Sequence, residues 1–148
     1  MIYTILEAKN PQVIKTLLAI DDMYDVLAYD GSPPLSEYTP EGIWFILLRN
    51  GYTAGFITLD PLNNVTWVAH VAILEKYRGK ESEEWGKLVA QRMTQKYGAK
   101  KFLAITPYDA AKRYAERVGF KQIAVLNNSI RKNGVLLHQY LLELGEQK

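Results

Sequence analysis

The chain has 148 residues, 48% of them apolar, with a net charge of +2 and no cysteine. That amounts to a single domain, 1–148, with enough apolar sequence for a core, no electrostatic footprint for nucleic acid, and no thiol nucleophile, disulfide or thiolate metal site. Met1-Ile2-Tyr3-Thr4 lacks the basic and apolar regions of a signal peptide. No apolar run approaches the roughly 20 residues that span a bilayer, so a cytoplasmic protein with no membrane partner and no metal is expected.

Residues 2–6 are apolar and β-branched, which suits a short strand. Asn10-Pro11 begins a helix, because Asn caps and Pro fits the first helical position. Val13, Ile14, Leu17 and Leu18 then form an apolar stripe at helical spacing. Residues 21–29 read as a second, acidic helical piece, whose Asp21, Asp22 and Asp25 suit a cationic amine. Residues 31–40, rich in Pro, form a loop. Residues 43–48 and 53–59 are strands joined by a hairpin turn at Asn50-Gly51, which tolerates positive φ. Asp60-Pro61-Leu62-Asn63-Asn64 is a longer turn. Residues 65–74 are a third, near-continuously apolar strand, which predicts burial on both faces.

A helix over 82–97 carries Trp85, Leu88, Val89 and Met93 on one stripe, and Gly98 ends it. Lys101–Thr106 is an interior strand, and 110–118 a helix stopped by Gly119. Residues 121–126 and 134–144 are closing strands, with turn signals at Asn127-Asn128 and Arg131-Lys132-Asn133-Gly134 between them. The order is β-α-α-β-β-β-α-β-α-β-β: an α/β (α+β) fold with a mixed, twisted central sheet and helices on both faces. Trp44, Phe45, Phe56, Trp67, Trp85 and Phe102 are expected in the core or along a cleft. The basic pairs Lys100-Lys101, Lys112-Arg113 and Arg131-Lys132 are dispersed, as solvated faces are, so a nucleic-acid partner is not expected.

The run Tyr77-Arg78-Gly79-Lys80 after an apolar strand, a helix, a second strand, and a helix ending Arg117-Val118-Gly119-Phe120 resembles the GNAT N-acetyltransferase superfamily. The resemblance covers essentially the whole chain. It implies acetyl-CoA as co-substrate, an amine acceptor that is a small molecule or a protein, and a V-shaped cleft where the central strands splay near Leu74 and Phe102. The family's phosphate loop is Arg/Gln-x-x-Gly-x-Gly/Ala, and Arg78-Gly79-Lys80-Glu81-Ser82-Glu83 occupies it here. Arg78, Gly79, Lys80 and Ser82 are thereby implied as cofactor-binding residues. Both later glycine positions hold glutamate. A carboxylate about 4 Å from a phosphate charge repels it by about 4 kcal/mol at an effective dielectric near 20. A helix N-terminus returns only about 0.3–1 kcal/mol. The loop therefore works only if Glu81 and Glu83 turn away from the phosphates. Acidic residues also suit a first helical turn that holds no ligand.

The family's general acid is a Tyr four residues before Gly-Phe, and Ala115 stands there. Tyr114 and Tyr108 are the alternatives. Tyr114 is turned about 100° from that position, and its structural alternative is core packing. The oxyanion donor is implied to be the Ile73 amide. His70, on the same strand, is a base candidate because imidazole titrates near neutral pH. Alternation puts it on the face opposite Ile73, so only a bulge turns it toward the acetyl group. Glu75 is a weaker base, and His138 is structural.

His70, Arg78-Gly79, Thr106-Pro107 and Arg117-Val118-Gly119-Phe120 together also resemble bacteriophage-encoded GNAT-like proteins. That narrower likeness implies an alternative: a catalytically inactive structural or interaction protein, with virion proteins or a second copy in a homodimer as partners.

Overall fold

The computed structural model describes residues 2–79 and 81–147. β1 (Tyr3–Ala8) leads into helix α1 (Pro11–Leu18), where the Asn10 side chain accepts from the Gln12 amide at 2.9 Å. The acidic segment that follows is a 3-10 turn, Ile20–Val26, rather than a regular helix. Asp21 and Asp22 break it, with φ of 45° and 56°, a left-handed conformation that Asp tolerates better than most residues. β2 (Ile43–Arg49), β3 (Tyr52–Pro61) and β4 (Thr66–Ile73) form the meander. Helix α2 (Glu83–Tyr97), β5 (Lys101–Thr106), helix α3 (Asp109–Val118), β6 (Lys121–Lys132) and β7 (Val135–Gly145) complete the order.

The seven strands make one sheet in the order β1-β2-β3-β4-β5-β7-β6. Only β4 and β5 run parallel. On one face, α2 and α3 bury Trp85, Val89, Met93 and Val118 against Phe45, Ile57, Leu59 and Phe102. On the other, α1 and the 3-10 turn bury Ile14, Leu17, Leu18 and Met23 against Trp44, Phe56 and Ala72. Of the six aromatic residues expected inside, Trp67 alone is only half-buried, and it packs at the margin of the α2 face. β4 is half-buried over most of its length rather than buried on both faces, because a cavity borders it.

Two local features shape the site. Gly55 lies so close to β4 that an added Cβ would stand 2.0 Å from the Ala72 carbonyl oxygen, so no side chain fits there. β6 runs unbroken through Asn127-Asn128, where a turn was expected. Asn128 takes φ 48° and the register slips between Leu126 and Ile130, so the extra residues are absorbed as a bulge.

Candidate active site

β4 pairs with β5 from Thr66↔Lys101 to Ala69↔Ala104 and no further. Beyond that point β4 stays on β3 as far as Ile73↔Gly55, while β5 stays on β7 as far as Thr106↔Tyr140. The two central strands therefore part after Ala69 and Ala104. This corrects the expected position of the splay: Phe102 sits at the closed end, opposite Trp67 and 1% exposed, because pairing persists two residues past it.

The wedge exposes backbone as well as side chains. The Leu74 amide donates to the Ala54 carbonyl at 2.7 Å. Antiparallel pairs alternate between bonded and non-bonded, so Val71 and Ile73 turn their N–H and C=O groups away from β3 and into the wedge. The Ile73 carbonyl there accepts from Arg78 Nε at 2.8 Å.

A cavity of about 1690 Å³ passes through the wedge. It brings together His70, Ile73, Arg78, Gly79, Ser82, Tyr108 and Tyr114. Lys80 lies outside the described residues.

At one end is the loop before α2. Gly79 takes φ 126°, which favours glycine. Ser82 is 2% exposed, and its hydroxyl donates to the Gly79 carbonyl at 2.7 Å. Three amides of this segment are already engaged: Ser82 N–H bonds Gly79 O, Glu84 N–H bonds Glu81 O, and Trp85 N–H bonds Ser82 O, at 3.0–3.2 Å. Glu81 turns to the Tyr3 hydroxyl at 3.4 Å, and Glu83 to Arg117 Nε at 3.7 Å. The Glu83 contact is an ion pair without a hydrogen bond, and its Oε2 is buried. Arg113 and Arg117, four residues apart on α3, also line this part of the cavity. Sequence reasoning passed over both as site residues, although their i, i+4 spacing puts them on one helix face.

Tyr114 is held in the packing between α2 and α3. Its hydroxyl donates to the Ser82 carbonyl at 2.8 Å and accepts from the Gly86 amide at 3.2 Å. Burial pushes its pKa well above the usual phenol value. Ala115, at the family's tyrosine position, is buried at the cavity wall. Tyr108 precedes α3 at the mouth of the wedge, 38% exposed, with the Lys132 ammonium 5.2 Å from its ring centre.

At the other end His70 faces the side of the sheet covered by the 3-10 turn. β4 pairs with β3 in unbroken register, so the bulge expected to turn it toward the Ile73 face is absent; His70 stays on the opposite face and meets the wedge only through the cavity that both residues line. Its neighbours on that side are Thr58 and Asp60 from β3, and Tyr24, Tyr38 and Glu41 line the same space. Burial lowers the His70 pKa, and the Asp60 carboxylate opposes that shift. Burial also raises Tyr38, to about 12, with Asp60 adding to the effect. His138 lies on β7, where its Nδ1 accepts from the Asn128 amide at 3.1 Å and ties down the β6 bulge. Glu75 begins a short 3-10 turn, Glu75–Tyr77, below the wedge.

The β6–β7 hairpin closes the open side. The Asp30 carboxylate accepts from the Asn133 and Gly134 amides at 2.8 Å each, and the Asp30 amide donates to the Arg131 carbonyl at 3.0 Å. The Lys132 ammonium, with a side chain 8% exposed, donates to the Asp25 carbonyl.

The acetyltransferase (GNAT) family model matches residues 12–120. Three solved structures share the fold. Spermidine N-acetyltransferase from Vibrio cholerae, in complex with CoA and spermine, is 12% identical over 97% of this chain and 95% of its own, with a TM-score of 0.77. Ribosomal-protein-S5-alanine acetyltransferase from Vibrio fischeri is 11% identical over 99% and 94%, with a TM-score of 0.75. The microcin C7 self-immunity acetyltransferase, in complex with acetyl-CoA and AMP, is 19% identical over 69% of this chain, with a TM-score of 0.62. The chain spans 59% of the length of that last protein. No curated protein matches by sequence. Among the described residues no helix is long and apolar enough to cross a membrane.

Proposed function

This chain belongs to the acetyltransferase (GNAT) family, and from that premise we propose that it transfers an acetyl group from acetyl-CoA to the amine of a small molecule or a protein. The observation that carries the reading is the wedge: two central strands part, and backbone N–H groups of β4 turn into the gap between an arginine-lined end and a histidine-lined end.

Arg78 and Arg113 would hold the anionic end, with Arg117 partly neutralised by Glu83, aided by Gly79, Ser82, Lys80 and the positive end of α2. In this loop guanidinium groups take over much of the work that glycine-borne amides do elsewhere in the family, since several amides close turn bonds. Acetyl-CoA supplies an activated acyl carbon. His70 takes the proton of the acceptor nitrogen, whose lone pair then forms the C–N bond. The Ile73 N–H donates to the oxygen that gains charge as the carbonyl π bond opens. Tyr108 gives its proton to the sulfur as the C–S bond breaks, and solvent restores it. Tyr108 fits this role better than Tyr114, whose hydroxyl is spent on Ser82 and Gly86.

Acetyl transfer to a panel of primary amines, followed by thiol release, tests the assignment. His70→Gln and Tyr108→Phe should each lower kcat about 100-fold with little change in KM. Full rates in both variants would overturn the residue roles.

A further inference from the structure

Resting on the reading of His70 as the base, we infer that Asp60 is its electrostatic partner: from the same face of the sheet it supplies the counter-charge when His70 takes the acceptor's proton. The register places the pair. Thr58 lies opposite His70, and Asp60 opposite Val68, so Asp60 and His70 share a face as diagonal neighbours across two strands. Diagonal positions are about 7–8 Å apart at the backbone, within reach of long side chains. Both side chains line the cavity.

Asp60 is also seated firmly. Gly42, at φ 77°, lies against it, and a Cβ at Gly42 would stand 2.6 Å from Asp60 Oδ1 and 2.5 Å from the Leu59 carbonyl oxygen. A bare backbone at position 42 is what gives the carboxylate its place. Among the described residues neither the Asp60 nor the His70 side chain makes a hydrogen bond or a close ion pair, and what links the two is the attraction of their charges across the shared face. Of the cations that line the cavity, Lys132 binds the Asp25 carbonyl and carboxylate, and Arg78 binds the Ile73 carbonyl. Burial raises the pKa of the Asp60 carboxyl and lowers that of the His70 imidazole, and each group's charge opposes the shift of the other.

The chemistry follows from those charges. When the acceptor ammonium or amine gives its proton to His70, a cation forms in a half-enclosed space. Asp60 is the anion that faces it from β3. Glu41 and the phenols of Tyr24 and Tyr38 face it from the loop side, and Tyr108 and Lys132 lie across the cavity. Without Asp60 the imidazolium loses the counter-charge that faces it from the sheet.

The chain holds only two histidines, so an NMR pH titration resolves His70, with His138 on β7 as internal reference. Asp60→Asn should move the His70 midpoint to lower pH and leave that of His138 in place. The sign follows from removing a group that favours the protonated form. In acetyl transfer to a primary alkylamine, the acid limb of kcat/KM should move to lower pH in the same variant. kcat should fall roughly 10- to 100-fold with KM little changed. An unmoved His70 midpoint would overturn the pairing outright. A moved midpoint with a pH profile indifferent to both Asp60→Asn and His70→Gln would instead retain the pair and reject His70 as the base.

Discussion

Tyr114 shows how a single hydroxyl can serve architecture in place of chemistry. It bridges the loop before α2 and the first turn of α2, with the Ser82 carbonyl on one side and the Gly86 amide on the other. Gly86 is small because α3 comes close: an added Cβ would stand 2.5 Å from Val118 Cγ2. Tyr114→Phe takes the hydroxyl from the buried Gly86 amide and leaves the Ser82 carbonyl with the Trp85 amide alone, which should cost about 1–3 kcal/mol in a denaturant titration. Acetyl transfer per folded molecule should survive the change. A large kcat loss without loss of stability would return Tyr114 to the chemistry. The sequence placed Tyr114 one residue from the family's acid and left both roles open, because one helical step decides them. His70's face was legible from alternation alone. Asp60 was not, since Asp60-Pro61 has turn chemistry. The strand runs on through both because Pro61 still pairs with Trp67 and Asp60 fits against Gly42.

At the scale of elements, the His70 side of the wedge is a ring. β5 and β7 stay paired beyond the wedge, β7 carries β6, the β6–β7 tip binds Asp30, and the segment before Asp30 packs its Met23 and Tyr24 against the β4 side of the core. The Asp30 carboxylate is the clasp, holding two amides of a hairpin turn. Its exposure limits what it contributes, so Asp30→Ala should cost about 1 kcal/mol. Hydrogen exchange at Asn133 and Gly134 should quicken several-fold in that variant, while α2 amides keep their protection. Unchanged exchange at the turn would show that the clasp is not what holds the hairpin. The strands and helices of this region were readable from period and turn residues. The clasp was not, because Asp30 and Asn133 are 103 positions apart and nothing local couples them. The bulge at Asn128 was hidden for a related reason: Asn-Asn is as good a turn as it is a left-handed bulge, and only the partner strand decides.

For the whole molecule, the element order carried the fold, and the sheet order, the parallel central pair and the helices on both faces agree with it. The position of the wedge was less legible, since the end of pairing depends on β3 and β7 pulling their partners apart. The central claim is that this wedge is a working acetyl-CoA site despite glutamates at both lost glycine positions. Their partners in the fold, Tyr3 and Arg117, are what makes that claim physical: the charges that would repel phosphate by several kcal/mol are turned aside. Calorimetric titration with acetyl-CoA tests it most directly, with dephospho-CoA and ATP as comparison ligands and Arg78→Glu as the control variant. The account predicts saturable micromolar binding of acetyl-CoA, lost in Arg78→Glu while both proteins melt cooperatively. Absence of binding at millimolar acetyl-CoA by a cooperatively folded wild-type protein would contradict it, and would mean that the fold is kept without its co-substrate.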